Sequence, residues 1–395
     1  MWDVIVVGAR CAGAAAAILL ARRGQRVLLV DRAKFPSDTM STLYIHQPGI
    51  TLLHRWNVLA PVIASQCPPI VTATHQVEDV RLHAPITAVG EVDATYAPRR
   101  RVLDQILVDA AVEAGAEFAS GCSLLDIVFE GGRATGARLR TESGALVTEQ
   151  AKLIVGADGM GSRVAAAVRA RTVVEDPRMT CIYYSGWTGI PSEFTMREHP
   201  GSWIATVPTH DGVTMVLTYF PQDRFAQIRT DPLKAHQQAL RVFAPDLFDS
   251  MSGGDQVEKL VGTANQRNFF RQAHGPGWVL IGDAGHHRDS ITARGITNAL
   301  LQAELLDVEL GDDLADRPRV DAALSRFADR RDTALMEGYR GTLETARLHV
   351  DRPRLQMLRA ISEMPEQTER YFALSAGIIS MEDFMTPELI SSLAP

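Results

Sequence analysis

The chain has 395 residues, 46% of them hydrophobic and 22% charged, with a net charge of −7. This balance excludes a disordered or collagen-like chain, and no uninterrupted apolar run reaches the ~18 residues that a membrane-spanning helix needs. An acidic chain also argues against a nucleic-acid partner, and Cys11, Cys67, Cys122 and Cys181, scattered without a C-x-x-C pair, argue against a zinc or disulfide framework and for a reducing cytoplasm.

Trp2 to Val7 is a short β-branched apolar run, the pattern of a buried parallel strand. The turn Gly8-Ala9-Arg10-Cys11-Ala12-Gly13 follows, then an alanine- and leucine-rich helix from Ala14 to Arg23 that stops at Gly24. The helix could be mistaken for the core of a signal peptide, but Asp3 and a strand precede it instead of a basic segment. A second strand, Arg26 to Val30, ends at Asp31 and Arg32. Strand, turn, helix, strand and acid form a βαβ unit. The turn is a G-x-G-x-x-G variant in which Arg10 takes the middle glycine's place. Gly8 permits the tight turn, Gly13 lets helix and strand approach, and the helix N-terminus offers free N–H groups to a pyrophosphate. The Arg10 guanidinium can meet phosphate directly. Asp31 suits a ribose diol, so FAD or NAD fits better than NADP.

Arg99 to Arg101 read as the start of a helix, Val102 to Ala114, and Val77 to His83 and Gly90 to Tyr96 as strands. Leu153 to Gly156 is another buried strand, running into Ala157-Asp158-Gly159-Met160-Gly161-Ser162-Arg163 and a short helix, Val164 to Val168. Thr180 to Trp187, Ser202 to Val207 and Gly212 to Phe220 alternate as antiparallel strands do, with turns at Pro200-Gly201 and Asp211-Gly212. Asp231 to Ala244 reads as a helix stopped by Pro245. Trp278 to Ile281 is a fourth buried strand, leading into Gly282-Asp283-Ala284-Gly285-His286-His287 and then a long helix that Ala293-Arg294-Gly295-Ile296 opens and Leu310 closes. Arg319 onward reads as helices punctuated by Pro353, Pro365 and Pro387.

These three motifs, in this order, resemble the flavoprotein monooxygenase family of the para-hydroxybenzoate hydroxylase type (group A), whose relatives include geranylgeranyl reductases and flavin-dependent halogenases. The resemblance spans roughly Met1 to Leu310. It implies an α/β fold: a Rossmann-like FAD-binding domain of the GR2 type, interleaved with an antiparallel substrate lobe and followed by a helical C-terminal segment. The expected division is 1–76, 97–175 and 275–315 for the FAD-binding domain, 77–96 and 176–274 for the substrate lobe, and 316–395 for the helical segment. The resemblance implies that Gly8, Arg10, Cys11, Gly13, Asp31 and Arg32 bind the pyrophosphate and ribose. Arg100 would touch the FAD phosphates, and the backbone of Leu124 the adenine. Asp158 and Gly159 form the "DG" motif, Gly282 and Asp283 hold the ribityl chain, and Gly295 and Ile296 open the helix that faces the flavin N1–C2=O edge. Thr42, in the loop with Ser41, would pass the flavin. Free N–H groups at that helix start stabilise the negative charge of reduced flavin.

The chain departs from the pattern in three places. Ser290 stands where proline is usual, Ala293-Arg294 where Gly-Gln or Ala-Gln is usual, and the "DG" motif ends in Val164-Ala165 instead of Val-Arg. Arg294, His46 and His286 are the candidate catalytic side chains, the first for reduced flavin or an anionic substrate, the histidines as acid or base. No spaced acid or thiol completes a metal site around His286 and His287.

The implied activity is that of an FAD-dependent monooxygenase. NADH or NADPH would visit transiently as reductant, since no second G-x-G-x-x-G is present, and O2 would react through a C4a-hydroperoxyflavin to oxygenate a small organic substrate, aromatic or polyketide-like. The arginine in the first turn keeps a reductase of the geranylgeranyl type as the alternative. A halogenase is less favoured, because the W-x-W-x-I-P signature is missing around Trp203, and a non-catalytic flavoprotein is a further alternative. Monomer and homodimer both stay open.

Overall fold

The computed structural model describes residues 1–392. Four of the predicted strands lie side by side in one parallel sheet. Trp278–Leu280 pairs with Leu146–Gly156, that with Trp2–Val7, then Val27–Val30, then Glu117–Ala119. Val4 to Val6 and Ile154 to Val155 are wholly buried, as expected of strands covered on both faces. Ser123–Glu130 and Arg133–Arg140 extend Leu146–Gly156 as an antiparallel meander.

The first helix, Cys11–Arg22, lies against this sheet, and the helices Arg100–Glu113 and Gly295–Leu310 pack on it in turn. Its small side chains make that possible. Ala14 to Ala17 are fully buried, and their short Cβ groups let neighbours approach from several sides.

The second sheet runs Asp255–Gln256, Thr180–Thr188, Thr214–Pro221, Ser202–Pro208, Thr195–His199, Thr72–Val77, Val80–Pro85. It is antiparallel except for one parallel pair, Thr195–His199 with Thr72–Val77. The chain enters this sheet at Thr72 instead of residue 77. The expected strand Val77 to His83 straddles a hairpin, with Glu78 at its turn in positive φ. Gly90 to Tyr96 is not a strand of the sheet; it makes only isolated bridges, Thr95 to Ile70 and Tyr96 to Ile45 among them. Alternation in these short segments marks burial of every second residue, which a bridge satisfies as well as a ladder does. A third sheet has three strands, Thr172–Asp176, Asn268–Arg271 and His286–His287, paired only with one another.

Asp231 caps its helix, Pro232–Phe243, by accepting from Lys234 N, and Pro245 begins a further helix, Pro245–Met251, as well as ending the first. The C-terminal helices are Arg317–Thr345, Arg352–Ser362, Pro365–Ala376, Met381–Phe384 and Pro387–Ser392. Their prolines occupy first-turn positions, where no N–H is needed. Residues 393–395 of the expected helical segment lie outside the described residues.

This tail covers the second sheet. Leu358, Ile361, Phe372 and Phe384 form one core with Trp203, Leu217 and Tyr219, each apolar side chain contributing about 1.5–3 kcal/mol by leaving water. A buried polar tie reinforces it. Arg354 forks onto Glu198 at 2.5 and 2.7 Å, His75 Nε2 lies 3.5 Å from the same carboxylate, and His75 Nδ1 is 2.7 Å from the Tyr371 hydroxyl. Burial alone would raise the Glu198 pKa, but the nearby His75 and the forked Arg354 bring it down to about 2.

Candidate active site

A cleft of about 620 Å³ runs from the first turn to the start of the helix Gly295–Leu310. All the expected cofactor residues except Gly13 line it: Gly8, Arg10, Cys11, Asp31, Arg32, Thr42, Arg100, Leu124, Asp158, Gly159, Gly282, Asp283, Gly295 and Ile296. Gly13 acts one layer behind, where a Cβ would overlap the Gly8 carbonyl oxygen. Gly8 has φ +101°, and a Cβ there would strike the backbone of Ala157. The two glycines therefore set how closely the first helix meets the sheet.

Asp31 ends its strand with both carboxylate oxygens engaged at 2.8 Å, one by Ala9 N and one by Ala33 N. These bonds hold the carboxylate at the cleft edge while each oxygen keeps acceptor capacity. At the other side of the turn, Asp104 is fully buried and gathers three partners. Arg10 donates at 2.7 Å, Arg100 at 3.0 Å through one nitrogen to both oxygens, and the Cys11 thiol at 3.3 Å. Burial pushes the Cys11 pKa up to about 12, so it is a thiol donor. Two arginines are thus held around the N-terminus of the helix Cys11–Arg22, which no side chain caps. This cluster can receive an anionic diphosphate. Asp104 has no motif of its own. Its only sequence signal is the i,i+4 spacing from Arg100 on one helix.

Asp158 organises the "DG" turn. It accepts from Ser162 Oγ at 2.5 Å and from the amides of Arg163 and Val164 at 2.6 and 3.2 Å. Burial raises its pKa against these bonds. Arg163 donates to the Leu124 carbonyl at 2.9 Å and lines the cleft, so an arginine serves this turn two positions before the Ala165 that breaks the usual pattern. The Leu124 carbonyl is thereby occupied.

At the far end, Gly282 adopts φ +56° where a Cβ would press on Ala12. Asp283 is exposed to the cleft, and Ala293, at φ +51°, turns the chain into the helix Gly295–Leu310, whose start also lacks a side-chain cap. Ser290 lines the cleft within a directed network. Its amide and hydroxyl both donate to Gln266 Oε1, at 3.1 and 2.5 Å, so the 3.0 Å contact with Tyr219 has the tyrosine donating. Gln266 in turn donates to Thr180 Oγ1 at 2.8 Å, and Thr180 donates to Asp289 at 2.8 Å. The Tyr184 hydroxyl accepts from Ser41 N at 3.2 Å. Two tyrosines of the second sheet therefore reach residues of the cleft. Both belong to strands rich in aromatics, some of which the sequence suggests could line a pocket, and nothing in the sequence tells these two from the aromatics of the core.

The three catalytic candidates are placed differently from expectation. His46 is buried outside the cleft lining. Its Nε2 donates to the Thr292 carbonyl at 3.0 Å, and burial pulls its pKa down to about 3, so it is a neutral structural histidine. Arg294 spends its fork on the carbonyls of Ser375 and Leu374, at 2.6 and 3.2 Å, and points at the C-terminal helices instead of the cleft. His286 borders the cleft, but its ring packs between Phe270 and Tyr339, and burial holds its pKa well below the ordinary range. None of the three is arranged as an acid or base toward the cleft.

The residues fit FAD. Two uncapped helix starts face one cleft, with a paired arginine cluster and Asp31 at one end and Asp283 at the other. Among the described residues no helix is long and apolar enough to cross a membrane, and no group of three His, Cys, Asp or Glu side chains is set to hold a metal.

Known proteins agree with this geometry. Residues 1–331 match the family described as FAD binding domain. Digeranylgeranylglycerophospholipid reductase of Methanocella arvoryzae is 26% identical over 316 residues, covering 76% of this chain and 74% of that protein. Tryptophan 2-halogenase of Chondromyces crocatus is 23% identical over 330 residues, and the match spans 59% of its length. Among solved structures, the flavin-dependent brominase Bmp2 superposes with TM-score 0.85 at 16% identity, over 99% of this chain and 97% of that one. PqsL of P. aeruginosa, in complex with 2-aminobenzoylacetate, gives TM-score 0.71 at 17% identity, over 94% and 99%. At such identities the structural likeness shows a shared fold and no more.

Proposed function

The chain belongs to the FAD-binding-domain family and is an FAD-dependent oxidoreductase; from that premise we propose that it is a monooxygenase acting on a small organic substrate. When bound, FAD supplies two-electron transfer and activation of O2, with NADH or NADPH as the visiting reductant. Gly8, Arg10, Arg100 and the first helix start hold the diphosphate, Asp31 the ribose, Asp283 the ribityl chain, and the Gly295 helix start faces the flavin ring.

The observation that carries this reading is at the flavin end of the cleft. Hydroxyls of Tyr184 and Tyr219 meet Ser41 and Ser290 there, while the sheet face behind is filled by the C-terminal helices. A polar cleft wall of Ser41, Thr42 and Ser290, backed by the two buried tyrosine hydroxyls, supports a compact, functionalised substrate over a long hydrocarbon chain. The lobes contribute by positioning that substrate and excluding water. The same fold in PqsL, described as a probable FAD-dependent monooxygenase, supports the reading.

The test is turnover under ¹⁸O2 with NADH or NADPH and a panel of small aromatic and polyketide-like compounds. Label in a product, with one nicotinamide oxidised per oxygen inserted, is expected. Anaerobic reduction of an isoprenoid double bond, without any oxygen insertion, would instead establish the second reading, a reductase like that of Methanocella arvoryzae, which the 26% identity favours.

A further inference from the structure

The "DG" and "GD" turns lie far apart in the chain, yet both line the cleft, the first with Asp158, Gly159 and Met160, the second with Gly282 and Asp283. One side chain ties them to each other. Arg271 donates through Nη1 to the Ala284 carbonyl at 2.8 Å and through Nη2 to the Met160 carbonyl at 3.0 Å. Its backbone amide donates to the next carbonyl along, that of Gly285, at 2.8 Å. Arg271 does not itself line the cleft and stands behind both turns.

The bridge is held in place from several sides. The guanidinium stacks on the fully buried Phe269, 4.2 Å from the ring centroid. The Arg271 carbonyl accepts from Arg331 Nη2 at 3.0 Å, and Arg331 is a buried residue of the helix Arg317–Thr345. That helix presses on the "GD" turn directly, since a Cβ built on Gly285 would lie 3.0 Å from Arg331 Nη1 and 2.9 Å from the Leu280 carbonyl oxygen. Asp158, the acid of the "DG" turn, is among the charges that oppose the burial of Arg271. A planar guanidinium can give N–H groups to two acceptors at once in a fixed geometry, which the point charge of a lysine ammonium does not reproduce.

We infer that Arg271 is a positioning residue for the cofactor: by holding the carbonyls of Met160 and Ala284 on one guanidinium, it sets the spacing of the two turns and so the width of the cleft between the "DG" turn and the ribityl site at Asp283. The inference rests on the FAD-dependent reading above. It gives the strand Asn268–Arg271 and the helix behind it a part in shaping a site that neither of them lines.

The test titrates FAD-stripped wild type, Arg271→Met and Arg271→Lys with FAD and, separately, with ADP, which offers only the groups that the first turn and Asp31 would hold. Arg271→Met is expected to raise the Kd for FAD at least about tenfold and to leave the Kd for ADP at the wild-type value. Arg271→Lys keeps the charge without the fork and is expected to follow Arg271→Met. An unchanged Kd for FAD in Arg271→Met overturns the proposal, and so does an equal loss for FAD and ADP, which a general weakening of the fold would give. A lysine variant that binds FAD as the wild type does overturns the role of the fork. A wild-type chain that takes up no FAD overturns the reading beneath the proposal instead. Should the variants fail to fold, amide exchange in the FAD-free wild type decides. Tied turns open together, so the amides of Arg163 and Gly285, each bonded within its own turn, are expected to show similar protection, and protection factors about a hundredfold apart contradict the bridge.

Discussion

Gly13 stands directly over the carbonyl oxygen of Gly8, so close that a methyl group on Gly13 would lie 1.7 Å from that oxygen. The turn is built on this contact. Gly13→Ala must push the helix Cys11–Arg22 off the sheet edge or distort Gly8, at about 1–3 kcal/mol for overpacking. The purified variant is expected to carry less than about a tenth of the wild-type FAD, read from flavin absorbance, with a lowered Tm. Full FAD occupancy would show that the turn tolerates more separation than these atoms suggest.

Asp104 answers the two arginines of the phosphate end. Replacing it by Asn keeps the shape and removes the charge, so Arg10 and Arg100 lose their common partner in a buried place. The expected loss is about 3–5 kcal/mol in urea unfolding of the FAD-free protein, partly recovered when FAD brings its own negative charge. A loss that does not depend on FAD would mean that the arginines serve only the fold.

The tie between Glu198, His75 and Arg354 makes docking of the tail sensitive to acid. Glu198 has a folded pKa of about 2, below its unfolded value, so its contribution is present above the ordinary carboxylate range and is lost as pH falls toward 2. Burial lowers the His75 pKa as well, so the folded state resists protonating it and stability declines as pH drops below the ordinary histidine range. Both act in the same direction. Limited proteolysis between pH 7 and about 4 should cut the C-terminal helices first at the acid end, and Glu198→Gln should cut there already at pH 7. Uniform cleavage along the chain at low pH would contradict this.

Arg294 binds the carbonyls at the end of the helix Pro365–Ala376. Arg294→Gln is expected to loosen that helix, seen as at least about tenfold faster amide exchange around Ser375, and to leave substrate KM unchanged. A raised KM with unchanged exchange would return Arg294 to the cleft.

Much of the cofactor end was legible in the sequence because its geometry is local. The strand Trp2–Val7, its glycine turn, the helix and Asp31 follow one another within a single βαβ unit, and the "DG" and "GD" turns are each a strand end followed by a helix or 3₁₀ turn. Arg10 was expected to meet phosphate, but its fixed partner, Asp104, is far along the chain and has no motif. The catalytic candidates misled for the same reason. His46 and Arg294 are set by Thr292 and by the tail, and no spacing within their own segments reports a contact with residues 374 and 375. Alternation marked the second sheet but not its order, so the parallel pairing of Thr195–His199 with Thr72–Val77, which joins distant segments, was not readable.

The reaction of the reduced, FAD-loaded protein with O2 tests monooxygenase chemistry most directly. In stopped-flow mixing at single-turnover concentrations, a transient spectrum distinct from both oxidised and reduced flavin is expected, followed by return of the oxidised form, with the transient consumed faster when a substrate is present. Direct, featureless reoxidation with and without every candidate substrate would contradict it.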